Sequence, residues 1–216
     1  MGKLDYGILT KGKNKVGPVV YYRRGSLQLA RAYVSEVKNP NTKPQQLARA
    51  RFTVLRNAAR AFKSAANLGF AKLAHDATTP TNIFMKMNYG ALQGDSPSQV
   101  EIDFSKVKVS DGDLPMPGFA SASSSESLIV DVTWTPNSDL PDASTQDQVY
   151  VFVYQEDLNG GILSTPVNRS IGGAHVSVPS GWSGMRCQVY AFAIGDGNDN
   201  KGMRSYSAYL GSTVVS

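Results

Sequence analysis

QVYVFVY, residues 148–154, is the segment on which the architecture turns. Its β-branched and aromatic composition suits a strand. Alternate apolar residues predict a strand half-buried on one face. SLIVDVTW, residues 127–134, alternates in the same way. Working outward, strands are predicted at 127–134, 148–155, 161–164, 174–178, 185–194 and 203–215, with turn residues between them. Short strands near ten-residue spacing predict an antiparallel, Ig-like β-sandwich. The lone cysteine, Cys187 in MRCQVYAFAI, rules out an internal disulfide and reads as a buried strand residue.

Before about residue 119 the pattern differs. In NPNTKPQQLARARF, residues 39–52, Asn39-Pro40-Asn41 breaks any strand. Thr42 and Gln45 form a T-x-x-Q capping box, and Pro44 suits a first helical turn. A helix is predicted from 43 to 74, with Phe52, Leu55, Ala59, Phe62, Ala66, Phe70 and Leu73 in one apolar stripe. Gly69 weakens its last turns. Arg49, Arg56, Arg60 and Lys63 form a second stripe about a quarter turn away. No acid lies between Thr42 and His75 to pair with it. That stripe is either a solvated face or one that meets carboxylates or phosphate. A shorter helix is predicted at 80–92, with Ile83, Phe84, Met87 and Leu92 inward and Met85 and Met87 as core filler.

Nearer the start, VGPVVYYRRGSLQLARAYVSEV predicts two extended runs, 16–23 and 27–37, about a turn at Arg24-Gly25-Ser26. Such a ribbon alone is marginal in water and needs a surface from its own chain or a neighbour. The expected fold class is therefore α+β. A β-ribbon arm (1–38) and a helical segment (39–99) carrying a long basic amphipathic helix precede an antiparallel Ig-like sandwich (100–216).

The net charge of +5 hides an asymmetry. Residues 1–75 hold 15 Lys/Arg and two acids, Asp5 and Glu36; residues 76–216 hold 7 Lys/Arg and 15 acids. Opposite halves of this kind point to different partners for the two. No run of about 18 apolar residues predicts a membrane helix. The first twenty residues lack the apolar stretch of a secretory signal, and Tyr6 stands where a myristoylation motif needs Ser or Thr. Cytoplasmic synthesis is expected, with exit only inside a larger assembly.

The letters for chemistry are sparse. One cysteine and two histidines, His75 and His175, are too few for a zinc site. KGKNKVG lacks the spacing of a phosphate loop. GDGNDNKGMRS alternates Asp196, Asn198 and Asn200 like a calcium loop. Lys201 stands where that loop needs glycine and Ser207 where it needs glutamate, so the stretch reads as a turn. Asn168 in NRS matches a sequon that needs a secretory route to matter. Glu156-Asp157 and Asp111/Asp113 fall in loops with no convergent spacing. No enzyme, metal or cofactor is expected.

Three stretches carry a resemblance. The opening MGKLDYGIL with GKNKVGPVV, the Asn-Pro-x-Thr-x-x-Gln-x-x-x-Arg-x-x-Phe motif of residues 39–52, and the closing SAYLG from Ser207 occur in order along nearly the whole chain. Together they resemble an uncharacterised family of small proteins of Bacteroidota and of their phages and mobile elements. The middle motif is the most specific. The resemblance implies an architecture and a context, and no catalytic residues.

The expected function is a structural subunit of a phage-like particle (neck or ring, tail, or capsid-associated). It would assemble with copies of itself and with neighbouring structural proteins through its basic N-terminal module, and end in a virion. One alternative is nucleic-acid binding, through Arg49, Arg56, Arg60 and Lys63 and through Lys11, Lys13, Lys15, Arg23 and Arg24, with Tyr21 and Tyr22 interleaved for stacking. The other is a carbohydrate- or surface-binding sandwich using Trp134 and Trp182.

Overall fold

A computed structural model of the protein describes residues 2–3, 14–36, 39–197 and 199–216. Its centre is the antiparallel pair β9 (Gln148–Gln155) and β13 (Arg186–Ile194), in register from Gln148 opposite Ile194 to Gln155 opposite Cys187. β10 (Gly160–Leu163) and β11 (Val167–Asn168) also pair with β9, and β14 (Ala208–Val214) pairs with β13. Opposite lies a three-stranded sheet in the order β12 (Gly173–Ser177), β8 (Ile129–Thr135), β7 (Gly118–Ser123). The two antiparallel sheets enclose Val149, Val151, Val153, Cys187, Val189, Ala191 and Ala193 from one side. Val130, Val132, Trp134, Ala174 and Val176 close the other side. This is an Ig-like sandwich.

β9 is not half-buried. Tyr150, Phe152 and Tyr154 point away from the sandwich core into a second core, joined by Tyr190 and Phe192 of β13. Val149, Val151, Phe152 and Val153 are all fully buried. The reason is a helical layer over the outer face, which turns a two-sheet sandwich into three layers.

That layer comprises α1 (Lys43–Ala61), α2 (Lys63–Gly69) and α3 (Pro80–Met87). The single helix predicted over 43–74 is broken at Phe62 (φ −77°, ψ 0°) and ends at Gly69. Phe62 is gripped by four rings, with centroids 5.2 Å from Phe84, 4.8 Å from Phe152, 4.7 Å from Tyr154 and 5.6 Å from Tyr190. Gly69 does more than weaken the end. A Cβ there would lie 2.1 Å from the Val109 carbonyl oxygen, so only glycine permits this approach. The apolar stripe also needs correcting. Phe52 is 56% and Leu73 42% exposed, whereas Leu55, Ala59, Phe62, Ala66 and Phe70 are buried. Burial in α1 begins at Leu55; its first turns lie beside the Asp95-Ser96-Pro97 turn instead.

The capping box does not form. Thr42 occupies the cap position with extended backbone, but its side chain accepts no hydrogen bond. Gln46 instead donates from its side-chain amide to the Asn41 carbonyl. Thr79 does cap α3, accepting from the Asn82 backbone N–H at 3.3 Å. α3 is shorter than predicted, stopping at Met87, and Met87 is exposed; Ile83, Phe84 and Leu92 are buried as expected. A short hairpin, β5 (Leu92–Gln93) with β6 (Glu101–Ile102), follows. Buried Asn88 ties α3 to the next segment by donating to the Phe84 and Lys108 carbonyls and accepting from the Lys108 N–H.

The N-terminal segment is a four-stranded antiparallel sheet in the order β1 (Gly2–Lys3), β4 (Leu27–Ala32), β3 (Val19–Arg24), β2 (Asn14–Val16). The strands are shorter than the predicted 16–23 and 27–37, but the turn lies at Gly25-Ser26, with Gly25 at φ +61°. Its tip rests on the loop after α2. The Arg24 Nε donates to the Ala77 carbonyl at 3.2 Å, and the Ser26 hydroxyl donates to Asp76 at 2.8 Å.

Candidate interaction site

The basic stripe lies on the solvent side of the helical layer. Arg49 donates to the side-chain oxygens of Asn39 at 2.6 Å and Asn41 at 3.5 Å, folding back over the entry to α1. Arg56, Arg60 and Lys63 are exposed, and among the described residues none of the four has a carboxylate partner. Arg51, outside the predicted stripe, reaches Asp95 at 3.9 Å and the Gly94 carbonyl at 2.9 Å. Exposed Phe52 stands between Arg49 and Arg56 on the same side of the helix. The sequence contains this aromatic–basic combination, but the stripe rule assigned Phe52 to the core.

In the N-terminal sheet the Lys15 ammonium sits 3.5 Å from the Tyr33 ring centroid. Arg23 is exposed and Arg24 is committed to Ala77. Lys11 and Lys13 lie outside the described residues. Val16, Tyr33 and Val34 are 55%, 43% and 61% exposed, and alternation along β2 turns Val16 to the face opposite Lys15.

A cleft of about 460 Å³ opens where α1, the segment after β6 and the β9–β10 hairpin meet. Val54, Ile102, Phe104 and Tyr154 give it apolar walls, and Glu101 and Glu156 stand in its lining. Glu156 is held in place: Gln188 donates to it at 2.5 Å, and the Tyr209 hydroxyl donates to Gln188 at 2.6 Å. Tyr154 donates to Asn159 at 3.1 Å. Burial, reinforced by Glu156, pushes its hydroxyl pKa up to about 12, so it stays protonated at neutral pH. Sequence reasoning noted Glu156 only as a loop acid. Nothing local links 54–58, 101–104 and 154–159.

Other polar groups are committed to structure. Buried Asp147 pairs with buried Arg169 at 3.0 Å and accepts from Asn200 at 2.7 Å. Asn200 also accepts from the Gly197 N–H at 2.8 Å, so the DGNDN letters build a turn, with Asn198 outside the described residues. Among the described residues no group of three His, Cys, Asp or Glu is placed to hold a metal. His175 and Ser125 both bind Asp131, at 2.5 and 2.7 Å. The carboxylate stands between hydroxyl and imidazole, which is not the order of a nucleophile–base pair. Trp134 and Trp182 are each only 5% exposed, so neither offers a sugar platform. No described helix is long and apolar enough to cross a membrane.

The chain belongs to a family of unknown function, DUF6266, which it matches over residues 9–211. No curated protein matches it. Among solved structures it is similar to the fn3 domain of the human collagen alpha-1(XX) chain, at 19% identity and a TM-score of 0.34, over 49% of this chain and 89% of that one. It is also similar to the FN1-FN3 domains of chicken CNTN1, at 19% identity and a TM-score of 0.35. That match covers 48% of this chain and 36% of the chicken chain.

Proposed function

We propose that the protein is a self-assembling structural subunit of a phage-like particle, as a neck or ring, tail or capsid-associated component. The supporting observation is the N-terminal sheet. Among its described residues Leu29 is the one buried apolar side chain, and it belongs to neither core cluster. Val16, Tyr33 and Val34 remain exposed, and the Tyr33 ring lies under the Lys15 ammonium. A thin sheet with uncovered apolar side chains suits contact with another subunit. Basic N-terminal and acidic C-terminal portions would steer and align such contacts. Sedimentation velocity tests the reading. The full chain should form a closed ring or a polymer, and Tyr33→Ser/Val34→Asp should shift it to monomer with unchanged thermal unfolding. A wild-type chain that stays monomeric at all concentrations removes the reading.

Phe52 supports a second reading, single-stranded nucleic-acid binding by the face of Arg49, Arg56, Arg60 and Lys63. An exposed ring among cations suits base stacking above phosphate contacts. Fluorescence anisotropy with single-stranded DNA at two salt concentrations should then show a steep salt slope. Phe52→Ala should weaken binding about tenfold. No binding at low salt eliminates this alternative.

A further inference from the structure

We infer that the cleft lined by Glu101 and Glu156 receives the Arg56/Arg60 face of α1 from a second copy of this chain. This rests on the assembly reading and names one of its contacts. Two unmatched charge sets exist on one molecule. Among the described residues neither Glu101 nor Glu156 has a cationic partner, and neither Arg56 nor Arg60 has a carboxylate partner. Glu156 is no freely tumbling surface acid. Gln188, only 6% exposed, fixes one of its oxygens and is itself fixed by Tyr209. A carboxylate oriented in this way suits a cation of defined geometry.

The walls specify the rest of the occupant. Val54, Ile102 and Phe104 offer apolar surface to an aliphatic stem, and the half-buried Phe104 ring, backed by Tyr154 at 5.3 Å, suits a planar cation. Arginine has both parts: a methylene stem and a delocalised, weakly hydrated head able to bind a carboxylate through two N–H groups. The occupant comes from another molecule because Val54 and Ala58 line the cleft from the same α1 that carries Arg56 and Arg60. At about 100° per residue these arginines project away from that wall. Since stripe and cleft face different ways from one helix, a head-to-tail contact seats each copy's stripe in the next copy's cleft, which extends to a ring or polymer. Burial of the stems holds the copies together, and the charges set register and orientation.

Charge reversal on each side, followed by mixing, tests the contact. Sedimentation velocity at low and high salt compares wild type, Arg56→Glu/Arg60→Glu, and Glu101→Lys/Glu156→Lys. All four positions are exposed, and circular dichroism checks that each variant is folded. Each reversed variant should self-associate about a hundredfold more weakly than wild type. The equimolar mixture should regain wild-type association, since each stripe then meets an oppositely charged cleft. High salt should weaken the wild-type contact. Association of both variants at wild-type strength overturns this contact while leaving assembly through the N-terminal sheet standing. Failure of the mixture to recover overturns the pairing of stripe with cleft. A monomeric wild type overturns both readings together.

Discussion

Towards the second sheet, β9 presents Val149, Val151 and Val153; towards the helices it presents Tyr150, Phe152 and Tyr154. β13 repeats the division, with Cys187, Val189, Ala191 and Ala193 on one side and Tyr190 and Phe192 on the other. The partners are complementary in size. Two sheets stacked about 10 Å apart interlock medium and small aliphatic side chains. The helices bring Ala58, Ala59, Ala65 and Ala66 to the sheet, so large rings fill the space these small residues leave. Phe62 is the one large ring from the first two helices at the centre of the aromatic cluster. A layer is thus specified by which volumes face each other, and not by apolar character alone.

Phe62→Ala should damage this arrangement most. It removes four ring contacts at a fully buried position, and urea unfolding should show a loss of about 4 kcal/mol. Hydrogen exchange should show the loss concentrated in α1–α3, with β8 and β12 still protected. Equal loss in both layers would mean that the two cores unfold as one cooperative unit. Val151→Ala, on the opposite face, should cost about 2 kcal/mol and lower protection across both sheets.

Smaller changes separate the helix starts that hold the outer layer. Thr79→Ala should destabilise by about 1 kcal/mol, because it deletes a formed cap, whereas Thr42→Ala should cost at most a few tenths. Denaturation midpoints of the pair check this; a larger effect at Thr42 contradicts the observed capping.

The smallest effect lies on the polar outer face of the three-stranded sheet, a control for both cores. The Ser125 hydroxyl, then His175, hold the Asp131 carboxyl below the usual aspartate value of 3.8. The unfolded state therefore takes up the proton first. The contribution is complete above about pH 4 and fades as pH falls through the lowered folded value. Carboxyl NMR should show His175→Ala raising this titration only part of the way, because the Ser125 bond remains.

How much of this was legible in the sequence follows the range of the interactions. β9 has the predicted bounds, 148–155, since its turns and composition are local. Its double burial was not legible as alternation, because valine and aromatic positions were read as one buried and one open face. Phe52 shows another limit: periodicity assigns an angle around the helix but not what covers each turn, and full burial in α1 starts only at Leu55. β7, GFASAS, was missed because serine and alanine carry weak strand preference; β8 pairing makes it a strand. The basic stripe could be read directly. The acidic cleft could not, because tertiary packing alone unites its three segments.

Burial of the β9–β13 sheet on both faces has a consequence during synthesis. Phe62 leaves the ribosome about 90 residues before Phe152, the ring it meets 4.8 Å away. At roughly 5–20 residues per second the helices wait on the order of five to twenty seconds for their counterpart. Throughout that interval their apolar side has no native partner, while the arginine side keeps the nascent segment highly charged. The same cations that would later join copies thus repel neighbouring nascent chains on a polysome, where premature association would be most damaging.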